Sequence, residues 1–460
     1  MMEVSIAGYN IDKALIDKHL NAINATPESI SAAYARISRS SKSIKELRQE
    51  AQEEILKARA SNQNIIFDMG HSSIAEHAVF NIDLVGISRY LAEVVQRSRL
   101  ASFTEKSQRY VSFSKDYVVP AELSQSLRDE YISLMDALFA EYETSMNYLL
   151  EGLAESDLSK RDRESRAKED ARYILPLCTK TQMGITINAR SLEGLLRRLS
   201  ALDLDEAKEL YNKIYSLVSE ISPSVIKYTE ADDFSKRKLC YEGPLAGHSN
   251  NVRIVSTPLD PDHTVLAAIL YESADQDFSA IIEQLKAMPH QEWEAYWQNL
   301  FRDIKPWSKL PRAFEMIDFC FEMTMSECAW SQFKRHRLCT ILAQRPAQLS
   351  QQIIPPSITC PSHILRWQSL FTDVDALRSN VSSTHPHISV YCRTNAHTIN
   401  ILAKMNLREL YHFCRLRSDE HAQWEIRTLS QTLQDQIKSL APFAAQLLMG
   451  KSEFPHKQRD

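Results

Sequence analysis

Apolar and polar positions change period along this chain in an order that occurs twice. From Ser43 to Ser61 the residues are mostly Glu, Lys, Ala and Arg, which favour helix. Ala78-Val-Phe-Asn-Ile-Asp-Leu-Val85 then alternates in the period-two manner of a half-buried strand, and Met316-Ile-Asp-Phe-Cys-Phe-Glu-Met323 repeats that alternation. After each strand a helix is expected to run into an Arg-x-Arg triplet, Arg97-Ser-Arg99 in one case and Arg335-His-Arg337 in the other. The C-terminal part of each half is again helical. Leu407 to Leu440 spaces its apolar residues three and four apart and meets neither Gly nor Pro before Pro442. Trp424 is expected on the helix that carries Arg417.

These echoes keep their order. Ser31-Ala-Ala-Tyr-Ala-Arg-Ile-Ser38 is followed 235 positions later by Leu266-Ala-Ala-Ile-Leu-Tyr-Glu-Ser273. Arg97 and Arg335 lie 238 apart, and Asn188-Ala-Arg190 and Asn406-Leu-Arg408 lie 218 apart. The chain is therefore an internal duplication, with the second copy shorter by about twenty residues before its Asn-x-Arg. Tyr241 to Asn251, with two glycines and a proline, is the clearest linker. The expected division is 1–238 and 239–460, in an α+β class of two tandem helix-rich domains, each with a small antiparallel sheet.

Composition narrows the chemistry. A net charge of −5 with 25% charged residues provides no general basic field for nucleic acid or a membrane surface, so anion binding must be local. Only nine glycines occur and neither G-x-G-x-x-G nor a Walker loop is present, which argues against a Rossmann or P-loop nucleotide site. No run of eighteen apolar residues appears, and the N-terminal segment lacks a secretory signal pattern. The eight cysteines form no C-x-x-C pair; buried free thiols in a reducing cytoplasm are expected, and no metal.

The densest polar segment is Arg97 to Tyr110, where Arg97, Arg99, Glu105, Ser107 and Arg109 fall within thirteen residues. Arginine forks and hydroxyls at such spacing suit a phosphorylated ligand, although an Arg-x-Arg on a helix is ordinarily solvated charge. The second copy keeps Arg335-His336-Arg337 but has Ala343, Arg345 and Ala347 where the first has Glu105, Ser107 and Arg109.

These residues resemble the flavin-dependent thymidylate synthases (ThyX). The resemblance lies in the Arg-His-Arg segment with its Glu-x-Ser-x-Arg loop, in His71-Ser-Ser-Ile-Ala-Glu-His77, and in Ala171-Arg-Tyr-Ile-Leu-Pro-Leu177. It continues through Asn406-x-Arg408, His412, Arg417 and Ala422-Gln-Trp-Glu-Ile426. It implies a fold in which four subunits build active sites at their interfaces, with FAD as cofactor and NADPH and methylenetetrahydrofolate as co-substrates for methylation of dUMP to dTMP. For dUMP the implied residues are Glu105, Ser107, Gln108, Arg109, Arg172, Gln332 and Arg335, with Arg417 catalytic. For FAD they are Ser38, His71, Ser73, Glu105, Arg335, His336, Arg337, Asn406, Arg408 and His412, with Arg97, Arg99, Asn188 and Arg190 weaker candidates.

Departures from the pattern are complementary. The first copy has the substrate loop and Arg172, but Ser98 replaces the central His, Val94 the expected Gln and Leu199 the late Arg, with Arg197 and Arg198 as stand-ins. The second copy has Gln332, Arg335-His336-Arg337 and Arg417, but Val390 falls at the place of Arg172. His336, between two arginines, is expected to be a neutral hydrogen-bonder. The expectation is one composite site type shared by the copies, in a homodimer that reproduces a pseudo-tetramer. A related flavin-folate enzyme for another pyrimidine, and a non-catalytic nucleotide-binding homologue, are the alternatives.

Overall fold

The alternating segments pair into one antiparallel sheet in each half. In the first, β1 (Glu3–Tyr9), β2 (Val79–Ser88), β3 (Ala101–Glu105) and β4 (Lys180–Asn188) lie in the order β1-β2-β4-β3. In the second, β5 (Val252–Ser256), β6 (Asp318–Ser326), β7 (Thr340–Gln344) and β8 (Thr398–Asn406) lie in the order β5-β6-β8-β7. Each central strand sends alternate side chains inward, Phe80, Ile82 and Leu84 from β2 and Phe319, Phe321, Met323 and Met325 from β6. The computed structural model describes residues 1–12, 26–37, 40–237, 252–305, 307–345 and 351–454. The expected linker Tyr241–Asn251 lies outside them.

Strand register equates the copies independently of any motif. Val79 opposes Asn188 as Asp318 opposes Asn406, and Glu105 opposes Met183 as Ala343 opposes Ile401. Ala343 therefore occupies the place of Glu105. The helix after β2 is Arg89–Gln96 and the one after β6 is Glu327–Phe333. Ser88 and Ser326 cap them, and a carboxylate grips each cap: Glu206 takes Ser88 N at 2.5 Å and Oγ at 2.7 Å, while Glu425 takes Ser326 N at 2.7 Å and also its Oγ.

Two helical expectations are interrupted. Ser43–Ser61 becomes Ile44–Glu53, opened by a Ser43/Glu46 capping box, and Ile55–Gln63, with Glu54 between them at φ −116°, ψ 59°. Leu407–Leu440 becomes Leu407–Arg417 and Trp424–Leu440, so Trp424 opens the helix after the one carrying Arg417. Asp419 binds the backbone N–H groups of His421 and Ser452, and Gln423 caps Ile426 N. The two local bonds, Asp419 to His421 N and Gln423 to Ile426 N, compete with helix continuation.

The compact units are composed differently from the two halves of sequence. One is Met1–Gly243 with Ile354–Asn395; the other is Pro244–Ile353 with Ala396–Asp460. Within the first, helix Pro361–Thr384 of the second copy packs on its equivalent, Gln125–Gly152, and Trp367 Nε1 donates to Glu141 Oε1 (3.1 Å) and Ser145 Oγ (3.0 Å). Leu177 N donates to Arg393 O (2.7 Å) and Asn395 N to Leu175 O (2.9 Å), two bonds that the 218-residue offset interchanges. A long helix with one apolar face must bury it somewhere, and here each takes its own repeat as partner.

Candidate active site

In the first unit, Glu105 ends β3 with both carboxylate oxygens engaged. Arg89 Nη1 donates to one and Gln96 Nε2 to the other, each at 2.8 Å. The chain then turns, with Val111 N donating to Ser107 O and Arg109 N to Ser107 Oγ. Glu169 joins the two arginines: its carboxylate pairs with Arg109 at 2.5 Å and its carbonyl accepts from Arg172 Nε at 3.1 Å. Arg172 is buried on the short turn after helix Lys160–Ala171. Gln108 is also buried, its Oε1 accepting from Asn395 Nδ2 (3.1 Å), which donates as well to Arg172 O (2.9 Å). Gln108, Arg109 and Arg172 are thus brought together.

The other first-copy candidates are more peripheral. His71 and Ser73 are exposed at the start of the 3-10 helix Ser72–His77, and Ser38 lies outside the described residues. Arg97 and Arg99 are exposed, with Arg97 paired to Glu93. Asn188 caps Ser191 N at 2.8 Å, and Arg190 pairs with Glu76. Arg198 is the stand-in that reaches Ser98 Oγ, whereas Arg197 turns to Glu193 and Tyr228 O. Burial, then the charge of Arg97, pushes Arg198 down to about 10.

In the second unit, Arg417 ends helix Leu407–Arg417 and turns back. Its Nη2 donates to Gln332 O (3.1 Å) and its Nε to His336 Nε2 (3.2 Å). The other ring nitrogen, Nδ1, faces Glu409 Oε1 at 3.1 Å. Both contacts hold only if Nε2 accepts and Nδ1 carries the proton, so the imidazole is neutral. Burial pushes the His336 pKa down, the Glu409 bond opposes that, and the charge of Arg417 adds to the depression. The amide of Gln332 is buried beside them, and neither its Nε2 nor its Oε1 has a hydrogen-bond partner. Such a buried amide has hydrogen-bonding capacity left for a water or a ligand.

The FAD candidates of the second copy split between two places. Asn406, which caps Glu409 N, Arg408 and His412 line a groove of about 530 Å³ with Lys309 and Arg415. Arg408 is set there by Glu315 (2.6 Å) and Leu310 O (2.9 Å). The groove is within the size range of cofactor sites. Its carboxylates are already engaged, Glu315 by Arg408 and Glu409 by His336, so Lys309 and Arg415 can take phosphates. The Ile304, Trp307, Leu310 and Leu338 walls suit a flat ring, and these residues fit a flavin dinucleotide. Arg335 is exposed and Arg337 half-buried on the segment that holds His336.

Sequence reasoning missed the partners that orient these groups. Arg89 and Gln96 hold Glu105, Glu169 holds Arg109, Asn395 joins Gln108 to Arg172, and Glu409 faces His336. It also missed a charge reversal. Arg89 and Glu105 pair in the first copy; in the second, Glu327 stands at the place of Arg89 and is held by Arg345 at 2.7 and 3.0 Å, from the place of Ser107. Only the i,i+3 relation of Asn406 and Glu409 at a helix start was a usable signal, and it speaks of capping alone.

The sequence profile of the Thy1 family, the thymidylate synthase complementing proteins, matches residues 19–224 and again 253–443. A UPF0159 protein of Thermoplasma acidophilum is 26% identical over 438 residues, 84% of this chain and 87% of its own. Flavin-dependent thymidylate synthases align with about half of the chain. That of Clostridium tetani is 28% identical over 44% of this chain and 82% of its own, and that of Geobacter sulfurreducens 32% over 44% and 81%. The solved flavin-dependent thymidylate synthase ThyX of Helicobacter pylori, complexed with FAD and dUMP, covers 49% of this chain and 100% of its own at 19% identity and a TM-score of 0.34. With two profile matches on one chain and a relative that spans both, the chain belongs to the Thy1 (ThyX) family as a two-copy member.

Proposed function

We propose that this chain is a flavin-dependent thymidylate synthase that methylates dUMP to dTMP, with methylenetetrahydrofolate as carbon donor and NADPH as reductant. The observation that carries this reading is the complementary inventory: Ser107, Gln108, Arg109 and Arg172 in the first copy, and Gln332, His336 and Arg417 in the second. One site type draws its phosphate grip from the first set and its polarising groups from the second, in a homodimer. Its free cysteines suit a reducing cytoplasm.

Within that site Arg109 and Arg172, positioned through Glu169, hold the 5′-phosphate with Ser107 donating. Gln332 offers its orphaned amide to the pyrimidine edge. Arg417 lies against the base and stabilises the negative charge that develops as C5 becomes nucleophilic. FAD, held by Asn406, Arg408 and His412 with Arg335 and Arg337, supplies the redox chemistry. The test is dTMP formation by the FAD-loaded full chain from dUMP, methylenetetrahydrofolate and NADPH. Arg417→Ala should retain flavin and lose turnover by a factor on the order of 10²–10³. dUMP binding without dTMP would instead leave the non-catalytic homologue.

A further inference from the structure

We propose that Glu409 and His336 are a positioning pair that sets the orientation of the Arg417 guanidinium, which makes Glu409 a functional residue of this site. The inference rests on the reading of Arg417 as the group that polarises the pyrimidine. Its chain of contacts is short: Glu409 Oε1 to His336 Nδ1 at 3.1 Å, then His336 Nε2 to Arg417 Nε at 3.2 Å. A carboxylate can only accept, so Glu409 holds the ring proton on Nδ1 and leaves the Nε2 lone pair facing Arg417. In the other tautomer the ring would turn an N–H toward the N–H of the guanidinium, and that bond would be lost. Burial at 3% exposure, against Phe413 edge-on at 5.0 Å, keeps the imidazole from turning away.

The first copy shows that the fold does not need this pair. Where the second copy has Glu409, His336 and Arg417, the first has Ser191, Ser98 and Leu199, and its sheet keeps the same strand order. The helix cap is common to both: Asn188 binds Ser191 N and Asn406 binds Glu409 N, each at 2.8 Å. That cap uses only the backbone N–H of residue 409, so the carboxylate is not required for helix formation. In the first copy Arg198 reaches a single Ser98 hydroxyl. The carboxylate–imidazole pair is present where the late arginine is present, and it touches that arginine directly.

The experiment uses the FAD-loaded full chain carrying Glu409→Gln, with thermal melting as the check on folding. A neutral amide can donate to Nδ1, so the ring is free to take the other tautomer. We expect kcat for dTMP to fall about tenfold or more, as for loss of a hydrogen bond to a charged group, with KM for dUMP changing less. Histidine 15N resonances should show Nδ1–H for His336 in the wild type and a shift toward Nε2–H in the variant. Unchanged kcat with the Nδ1–H form retained overturns the proposal. If Glu409→Gln does not fold, Glu409→Ser, the residue of the first copy, is the second variant. A wild type that neither binds dUMP nor forms dTMP would defeat the functional reading, and the ring resonances would still decide whether Glu409 sets the tautomer.

Discussion

At the residue scale, one equivalent position carries opposite charges in the two copies and takes its partner from different places after the next strand begins. Arg89 and Glu105 face each other in the first copy, Glu327 and Arg345 in the second. Glu327 is 2% exposed, so removing Arg345 takes a charge partner from a buried carboxylate. Arg345→Ala should destabilise the protein by about 3 kcal/mol, seen as a lower urea midpoint, and leave dUMP affinity unchanged. His336 makes a second prediction. Its folded pKa lies below the unfolded value of about 6.5, so between the two the unfolded chain binds more protons. Stability is then complete above about pH 6.5 and declines as pH falls through that window. Melting from pH 7.5 to 5 should fall more steeply for the wild type than for His336→Gln. Sequence could state that Ala343 replaces Glu105, because the repeat aligns them. It could not state that Arg345 pairs with Glu327, eighteen residues away, because that contact requires the strand to return beside the helix.

At the scale of elements, β2 and β6 were legible because period-two alternation is strong in them, whereas the other six strands were not assigned from sequence. The helix interruptions at Glu54 and at Ser418–Gln423 were not. Neither contains Gly or Pro; the second depends on side-chain bonds to local and distant backbone, whereas Glu54 makes no capping bond and breaks the helix by its backbone angles. A bulge in β2 was equally hidden: its register with β4 shifts between Val85 and Ile87, whereas β6 runs past β8 without a break. Gly86 makes the shift possible at φ +74°, and a Cβ there would stand 2.8 Å from Met1 O. Gly86→Ala should cost about 1–3 kcal/mol, read as a lower melting temperature. The Glu206 and Glu425 clamps on Ser88 and Ser326 were visible only as isolated acids, though they stand at equivalent places on both helix starts.

At the scale of the molecule, duplication lets each copy keep part of one polar set. The proposed homodimer has two kinds of site position, and only one kind holds both the phosphate grip and the polarising arginine. Calorimetric titration of the flavin-loaded protein should find one dUMP per chain; two equivalent sites per chain would refute the division. None of the helices among the described residues is long and apolar enough to cross a membrane. The sequence by itself determined the duplication, the mixed class and the inventory of arginines, amides and imidazole, since these follow from residue type, spacing and period. Only the tertiary structure decided that Ile354–Asn395 joins the first unit, that Glu327 and Arg345 neutralise each other, and that Glu409 stands behind His336. Those outcomes depend on which surfaces and charges meet after the chain has turned back on itself. Burial then makes each unpaired charge or amide costly enough to select its partner, and no linear spacing records that choice.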